Sequence, residues 1–178
     1  MKSAVFWDRD GILSRLLAER SDGQKWVATQ TLEDFSIDED AKPILQEMHD
    51  LGYLNVVVTN QPDIARGLVS QSDLNEMHER LRRMLPIDAI YVCPHERGTC
   101  ECRKPKPGML IAASKVLDVD LATSVMVGDA GTDVGAAQNA GVRFILKRTV
   151  YNQDLVVENE FKNWNELSAI LKGLLKHE

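Results

Sequence analysis

Five short, almost wholly apolar segments recur along the chain and alternate with segments of helical character. A strand with one solvated face alternates apolar and polar residues, whereas a strand covered on both faces is apolar throughout. The pattern therefore predicts an α/β fold of the Rossmann type, in which helices cover both faces of a parallel sheet. The predicted strands are residues 3–7, 53–60, 87–93, 124–129 and 142–147.

The segments between the strands carry signals for the beginnings and ends of helices. Gly52 stands where a C-terminal cap belongs, Ser72 is placed to cap the second helix, and Pro107 fits a first turn. Residues 14–37 are polar and lack a steady apolar period, which predicts a flap or long loop with a function of its own. The predicted helices are residues 39–51, 71–85, 107–117, 132–140 and 164–176.

Length and charge limit the functions that are open to the chain. Its 178 residues suit one domain with one core, and we expect a single domain over residues 1–178. The formal charge of −6 argues against binding to nucleic acid or to a membrane surface. No apolar stretch reaches membrane-spanning length, and the N-terminal residues do not resemble a secretory signal. We therefore expect a cytoplasmic protein, and a monomer.

Acidic residues stand directly after two of the predicted strands. Asp8 and Asp10 follow the first strand, Asp129 ends the fourth, and Asp133 lies one helical turn further on. The carboxyl ends of parallel strands lie at one edge of the sheet, so we expect Asp8, Asp10 and Asp129 to converge. Arg9 should point away from its acidic neighbours, because side chains alternate in an extended segment. Carboxylate oxygens around an open position are ligands that Mg²⁺ prefers.

Groups that favour a phosphate follow other strands. The Thr59 hydroxyl and the backbone N–H groups of Asn60 and Gln61 are placed to hold an anion. Lys104 precedes the helix that begins near Pro107, so it adds positive charge beside a positive helix end. A metal ion, a hydroxyl, an ammonium group and backbone donors around one carboxylate form a phosphoryl-transfer site.

The two acids after the first strand have different predicted roles. Asp8 is the candidate nucleophile, which would form an aspartyl-phosphate. Asp10 is the candidate acid and base, which would protonate the leaving oxygen and then activate the water that hydrolyses the intermediate. A single acid at a strand end is more often a turn residue or a helix cap, but four such elements at successive strand ends favour a phosphatase site.

All three cysteines lie within ten residues, together with one histidine. Three thiols and an imidazole are soft ligands whose number and kind suit a closed tetrahedral zinc site. Such a site would staple a loop that has little core of its own and fix the direction of Arg103 and Lys104, which follow it directly. Incidental reduced cysteines and a redox pair at Cys100 and Cys102 are the alternatives. The predicted zinc ligands are Cys93, His95, Cys100 and Cys102.

These motifs resemble those of the haloacid dehalogenase-like phosphatase superfamily. They are "DRDG" at 8–11, "TNQ" at 59–61, Lys104 in "RKPKPG", and "GDAGTD" at 128–133. Within that superfamily, "TNQPDIARG" and "CECRKPKPGM" are similar to the branch of histidinol-phosphate and D-glycero-D-manno-heptose 1,7-bisphosphate phosphatases.

The resemblance implies a role for each motif. It implies Mg²⁺ held by Asp8, Asp129 and the Asp10 carbonyl, with Asp133 beside these ligands. It also implies a structural zinc ion, phosphate contacts from Thr59 and Lys104, and substrate recognition by Arg103. The expected reaction is removal of the 7-phosphate from the heptose bisphosphate.

Several alternatives remain open at this point. Ile12, the Pro62–Asp63 pair and Ala130 depart from the pattern of the branch near the substrate, so histidinol phosphate is an alternative substrate. A receiver domain of a signalling pair is a non-enzymatic alternative, but its phosphorylated Asp ends a later strand than the first. A zinc-stapled binding module with an inactive site is another, which the intact set of catalytic groups disfavours.

The spacing of the motifs leaves no room for a large cap domain. We therefore expect a shallow cleft walled by the flap, the loop of residues 62–67 and the zinc loop. Recognition in such a cleft depends on a few charged contacts, and Arg66 and Arg103 are placed to bind a second phosphate. A sugar bisphosphate should thus be preferred over its monophosphate.

Overall fold

The computed structural model describes residues 1–20 and 23–175, and none of the helices in this part of the chain is long and apolar enough to cross a membrane. The strands are β1 (Ala4–Trp7), β2 (Leu17–Glu19), β3 (Lys25–Val27), β4 (Leu54–Asn60), β5 (Ala89–Cys93), β6 (Val125–Gly128), β7 (Arg143–Lys147) and β8 (Asn159–Phe161). The helices are α1 (Lys42–Asp50), which a 3₁₀ turn precedes, α2 (Gln71–Met84), α3 (Gly108–Leu117), α4 (Gly131–Ala140) and α5 (Trp164–Leu175).

Six strands form one parallel sheet in the order β5-β4-β1-β6-β7-β8. Because successive side chains of a strand point to opposite faces, Val5 and Trp7 pack into one buried cluster, and Ala4 and Phe6 pack into another. Residues of α1, α2 and α5 complete the first cluster, and residues of α3 and α4 complete the second. The predicted parallel sheet with helices on both faces is confirmed.

The structure also contains elements that the sequence pattern did not predict. β2 and β3 form an antiparallel hairpin inside the polar segment 14–37, and β8 extends the sheet beyond the five predicted strands. Each of these strands has three residues, too few for a periodic signal. Residues 21–22 of the predicted flap and residue 176 of the last predicted helix lie outside the described residues.

The predicted helix cap at Ser72 is wrong by two positions. Ser70 precedes α2 with extended backbone angles, and its hydroxyl accepts a hydrogen bond from the Asp73 amide at 2.9 Å. Ser72 instead lies within the first turn of the helix.

The register of the sheet brings three strand ends together. β1 lies between β4 and β6, and Trp7 stands opposite both Val57 and Val127. These strands therefore end side by side, so the polar residues that follow them meet at one edge of the sheet.

Candidate active site

Three carboxylates and one ammonium group are buried together at this edge. Asp8 follows β1, Asp129 follows β6 and Asp133 lies in the first turn of α4, and one carboxylate oxygen of each lies within 4.8 Å of the others. The Lys104 ammonium is 2.8 Å from Asp8 Oδ1 and 2.7 Å from Asp133 Oδ1. The predicted convergence thus holds for Asp8 and Asp129, but the third carboxylate is that of Asp133 and not that of Asp10.

The cluster carries more negative than positive charge. Burial raises the pKa of Asp8 well above its ordinary value, and the Asp133 carboxylate adds to the shift. Burial likewise raises the pKa of Asp129 to about 6. Burial opposes the charge on Lys104, but the carboxylates of Asp133 and Asp8 outweigh it and raise the pKa of Lys104. One ammonium group does not offset three buried carboxylates, so the site favours a further cation with oxygen ligands.

The Asp10 carboxylate is held by three other side chains. The buried Arg9 guanidinium donates to both of its oxygens, with Nη2 at 2.9 Å from each. Ser14 Oγ donates to Oδ1 at 3.0 Å, and Gln61 Nε2 donates to Oδ2 at 2.7 Å. The prediction that Arg9 points away from Asp10 is wrong, because the chain leaves extended geometry after β1 and turns at Gly11, whose φ is +90°.

Gly11 also permits the close approach of two motifs. A Cβ atom at this position would lie 1.9 Å from Asp129 Oδ2, which no side chain can tolerate. The glycine of the "DRDG" motif therefore allows the turn after β1 to pack directly against the acid that follows β6.

Residues at the end of β4 form hydrogen bonds that connect Asp10, Thr59 and Lys104. Gln61 Nε2, which contacts Asp10, also donates to Thr59 Oγ1 at 2.8 Å. The Asn60 side chain accepts from the Lys104 backbone N–H at 3.0 Å and donates to the Lys104 carbonyl at 3.1 Å. The side chains of Asn60 and Gln61 thus position neighbouring site residues, a role that sequence analysis did not assign to them.

The four predicted zinc ligands lie together at the end of β5. Neighbouring ligand atoms are 3.3–3.7 Å apart. Ligand bonds of about 2.0–2.3 Å place the corners of a tetrahedron about 3.3–3.8 Å apart, so the cluster fits zinc. The sulfurs are too far apart for a disulfide bond, which needs about 2.05 Å. Burial raises the pKa of the Cys102 thiol to about 12, so its thiolate needs a cation beside it.

Arg103 lines a second cavity beside the carboxylate cluster. This cavity has a volume of about 400 Å³, and Arg97, Lys106 and the first turn of α4 line it as well. The Arg103 Nη1 atom donates to the His95 carbonyl at 3.0 Å, so a zinc ligand's own backbone sets the direction of this guanidinium.

Arg66 has different surroundings from those that the sequence suggested. Its guanidinium forms a two-pronged ion pair with Glu96 of the zinc loop, with Nη2 at 3.0 Å from Oε2, and Nη1 is 3.1 Å from Asp63 Oδ1. Arg66 thus joins the loop of residues 62–67 to the zinc loop, and it is not among the residues that line the two cavities.

A cavity of about 440 Å³ opens onto Asp8, and sequence analysis missed part of its wall. The flap contributes as predicted, through Leu16, Trp26 and Ala28. In place of the loop of residues 62–67, the segment that follows β7 completes the wall next to Trp26, with Tyr151, Asn152, Asp154 and Leu155.

Two residues of that segment contact a predicted metal ligand. The Tyr151 hydroxyl donates to Asp129 Oδ2, and Asn152 Nδ2 donates to the Asp129 carbonyl at 2.7 Å. Trp26 of β3 packs against Tyr151, with ring centroids 5.4 Å apart. These contacts join residues far apart in the chain and depend on the fold, so no local pattern marked them.

Comparison with known proteins gives consistent matches. A family model described as "HAD-hyrolase-like" matches residues 101–162. The D-glycero-beta-D-manno-heptose-1,7-bisphosphate 7-phosphatase of Haemophilus ducreyi is 39% identical over 162 residues, which cover 83% of this chain and 84% of that protein. The D-glycero-alpha-D-manno-heptose-1,7-bisphosphate 7-phosphatase of Campylobacter jejuni is 32% identical over 174 residues, 95% of each chain.

A solved structure is similar over the whole chain. It is the D,D-heptose 1.7-bisphosphate phosphatase from B. bronchiseptica, complexed with magnesium and phosphate. The TM-score is 0.78 at 28% sequence identity, and the match covers 100% of both chains.

Proposed function

This chain belongs to the D-glycero-D-manno-heptose-1,7-bisphosphate phosphatases, a branch of the haloacid dehalogenase-like hydrolases, and we propose that it removes the 7-phosphate of that sugar bisphosphate. It is a phosphoric monoester hydrolase. The observation that carries the proposal is the buried Asp8 carboxylate, which lies 2.8 Å from the Lys104 ammonium and lines an open cavity. Relatives named for each anomer are similar to the chain, so the proposal covers both anomers.

Asp8 and Asp10 would divide the chemistry between them. An oxygen of the Asp8 carboxylate attacks the phosphorus of the 7-phosphate, and the bond from phosphorus to the sugar oxygen breaks. Asp10 gives a proton to that leaving oxygen and then takes one from the water that attacks the phosphorylated Asp8. Inorganic phosphate leaves and Asp8 is restored. To make these proton transfers, the Asp10 carboxylate would have to give up some of its hydrogen bonds to Arg9, Ser14 and Gln61.

The residues of the carboxylate cluster fit Mg²⁺. Asp8, Asp129 and the Asp10 carbonyl would hold the ion, which when bound supplies positive charge against the carboxylates and the phosphate. Asp133 is already engaged, because its carboxylate pairs with Lys104 and accepts from the backbone N–H groups of Asp129 and Ala130 at 3.2 and 3.0 Å. It would therefore orient the site rather than bind the ion.

The cysteine cluster fits a structural zinc ion. Three thiolates and the His95 imidazole would fill a tetrahedral shell and leave no position for substrate. The bound ion would hold the zinc loop in the shape that aims Arg103 at the substrate. The ligands would be Cys93, His95, Cys100 and Cys102.

The second phosphate of the substrate would lie beside Arg103. The cavity next to this residue is lined by cations and adjoins the main cavity through Lys104, Gly131 and Thr132. Arg66 would reach a phosphate only by giving up Glu96 and Asp63, so we assign it a smaller part in recognition. Thr59 and Asn60 would support the transferred phosphate and the groups around it. The prediction that the Gln61 backbone N–H holds an anion is wrong, because it donates to the Cys93 carbonyl at 2.7 Å.

Further properties follow from the same assignment. The relatives described above are named as heptose bisphosphate phosphatases, which supports the sugar rather than histidinol phosphate as the substrate of this chain. The position of Asp8 after the first strand argues against a receiver domain. We also propose a cytoplasmic monomer of one domain, and its formal charge of −6 argues against binding to nucleic acid or membranes.

Hydrolysis by the purified protein with Mg²⁺ tests the proposal. The substrates are both anomers of the heptose bisphosphate, the heptose 7-phosphate and histidinol phosphate, and phosphorus NMR identifies which phosphate is released. We expect release of the 7-phosphate from at least one anomer and none by Asp8→Asn. A higher kcat/KM for histidinol phosphate than for every sugar bisphosphate would reject the assignment.

A further inference from the structure

Trp26 holds a large apolar ring at the mouth of the main cavity. It is 42% exposed, although most large apolar side chains of the protein are buried. Its φ is +54°, in the left-handed region that bulky residues rarely occupy. Exposure and an unfavourable backbone angle both cost free energy, and neither improves the packing of the protein itself.

Tyr151 fixes the position of the Trp26 ring. The two ring planes are inclined by 36° with centroids 5.4 Å apart, and the Tyr151 hydroxyl is bonded to Asp129. The next residue, Asn152, is buried and donates to the carbonyls of both Asp129 and Lys147, so the segment that carries Tyr151 is anchored on the active site. The aromatic pair is therefore held at a fixed place relative to the carboxylate cluster.

The two sides of the main cavity differ in chemistry. Lys104 lies on the side that adjoins the second cavity, which is lined by Arg97 and Arg103. The other side is formed by the aromatic pair together with Leu16, Ala28 and Leu155. A sugar phosphate has the same division, because its phosphates are anionic whereas the C–H groups on one face of its ring form an apolar surface. Aromatic rings present a flat apolar surface with little loss of side-chain freedom on binding.

We propose that Trp26, supported by Tyr151, is the surface on which the sugar ring of the substrate stacks, and that this pair is a specificity determinant of the enzyme. The inference rests on the proposed function, since it assigns the carbon skeleton of that substrate to one wall of the site. It makes the hairpin β2–β3 a recognition element, which acts on the sugar and not on the transferred phosphate.

The test separates recognition of the ring from recognition of phosphate. Trp26→Asn removes the ring but suits a left-handed backbone, so the hairpin can keep its shape, and Trp26→Phe keeps an aromatic ring. We expect Trp26→Asn to raise the KM for the heptose bisphosphate about tenfold, with kcat within about threefold of wild type. The inhibition constant of inorganic phosphate, which has no ring, should not change. Trp26→Phe should retain most of the affinity for the sugar.

Fluorescence provides a readout that does not depend on turnover. Trp7 is fully buried, and Trp26 is the exposed tryptophan of the described chain. Addition of the heptose bisphosphate to Asp8→Asn protein with Mg²⁺ should change the emission, and the added substitution Trp26→Phe should remove that change. A wild-type enzyme that does not hydrolyse the bisphosphate would remove the proposed function and this inference together. If the wild-type enzyme hydrolyses the bisphosphate but Trp26→Asn leaves the KM unchanged, this inference alone is overturned.

Discussion

The ammonium group of Lys104 lies 2.8 Å from Asp8 Oδ1, and both groups are nearly inaccessible to solvent. Hydrogen bonds to Asn60 and Val58 hold Lys104 in this position. The Asn60 side chain pairs with its backbone, and the carbonyl of Val58 accepts from its ammonium at 2.9 Å. Because burial alone favours a neutral Asp8, the adjacent ammonium helps to keep the proposed nucleophile ionised.

Removal of this ammonium should impair catalysis, and it should also lower stability, because it leaves the buried carboxylates of Asp8 and Asp133 without their counter-charge. We expect Lys104→Met to lower kcat/KM by about 10²–10³, because a charge that stabilises the transition state is lost in a water-poor site. Lys115→Met, at an exposed position of α3, is the matched control and should behave as wild type. Steady-state kinetics with circular dichroism of each variant checks this. A Lys104→Met enzyme with more than about a tenth of wild-type activity would show that Asp8 does not depend on Lys104.

Zinc content tests the cysteine cluster. We expect one zinc ion per chain in protein purified without chelator, and loss of the ion on substitution Cys93→Ser. The free energy of unfolding should fall as well, because a closed structural site contributes its binding energy to folding. Elemental analysis and urea denaturation are the measurements. Glu101→Gln, an exposed change in the same loop, should keep both zinc and stability. Zinc-free wild-type protein of full activity would contradict the assignment.

His78 makes stability depend on pH. Burial, with a contribution from the Arg9 guanidinium 3.4 Å away, lowers the pKa of His78 to about 4. Between pH 4 and the ordinary value of 6.5 the unfolded chain binds a proton that the native protein does not, so stability falls as pH is lowered through this window. The loss between pH 7 and pH 5 should be smaller in His78→Gln by about 2 kcal/mol. Urea denaturation at both pH values measures it. Equal losses in the two proteins would rule out a buried neutral imidazole.

The two candidate arginines should differ in their effect on substrate choice. Arg103 lines the cationic cavity, whereas Arg66 is bound to Glu96 and Asp63. We expect Arg103→Ala to reduce the preference for bisphosphate over heptose 7-phosphate by about tenfold, and Arg66→Ala to reduce it less. The ratio of the two kcat/KM values is the measure. If wild type has no preference, or if Arg66→Ala has the larger effect, the second phosphate does not bind beside Arg103.

The sequence predicted those parts of the site that local pattern determines. Continuous apolar runs identify buried parallel strands, and such strands end at one edge, so the positions of Asp8, Thr59 and Asp129 followed without a structure. The close spacing of the cysteines and His95 identified their cluster in the same way. Both predictions rest on residues that are neighbours in the chain or belong to long, regular elements.

Other features depend on packing between segments that are distant in sequence. Tyr151 meets Asp129, and Arg66 meets Glu96, only because loops from different strands adjoin in the fold. The predicted direction of the Arg9 side chain was wrong for a related reason, since side chains alternate only while the backbone stays extended. Strands of three residues, as in the hairpin that carries Trp26, are too short to show a period.

The identity of the residue that becomes phosphorylated decides whether Asp8 is the nucleophile. Asp10→Asn keeps the nucleophile but lacks the base, so reaction with p-nitrophenyl phosphate, whose leaving group needs no proton, should accumulate the intermediate. If Asp8 is the nucleophile, we expect a burst of nitrophenolate equal to the enzyme and, by tandem mass spectrometry, one phosphoryl group on Asp8. The double variant Asp8→Asn/Asp10→Asn should show neither. A burst that leaves Asp8 unmodified, or a phosphoryl group on another residue, would contradict Asp8 as the nucleophile.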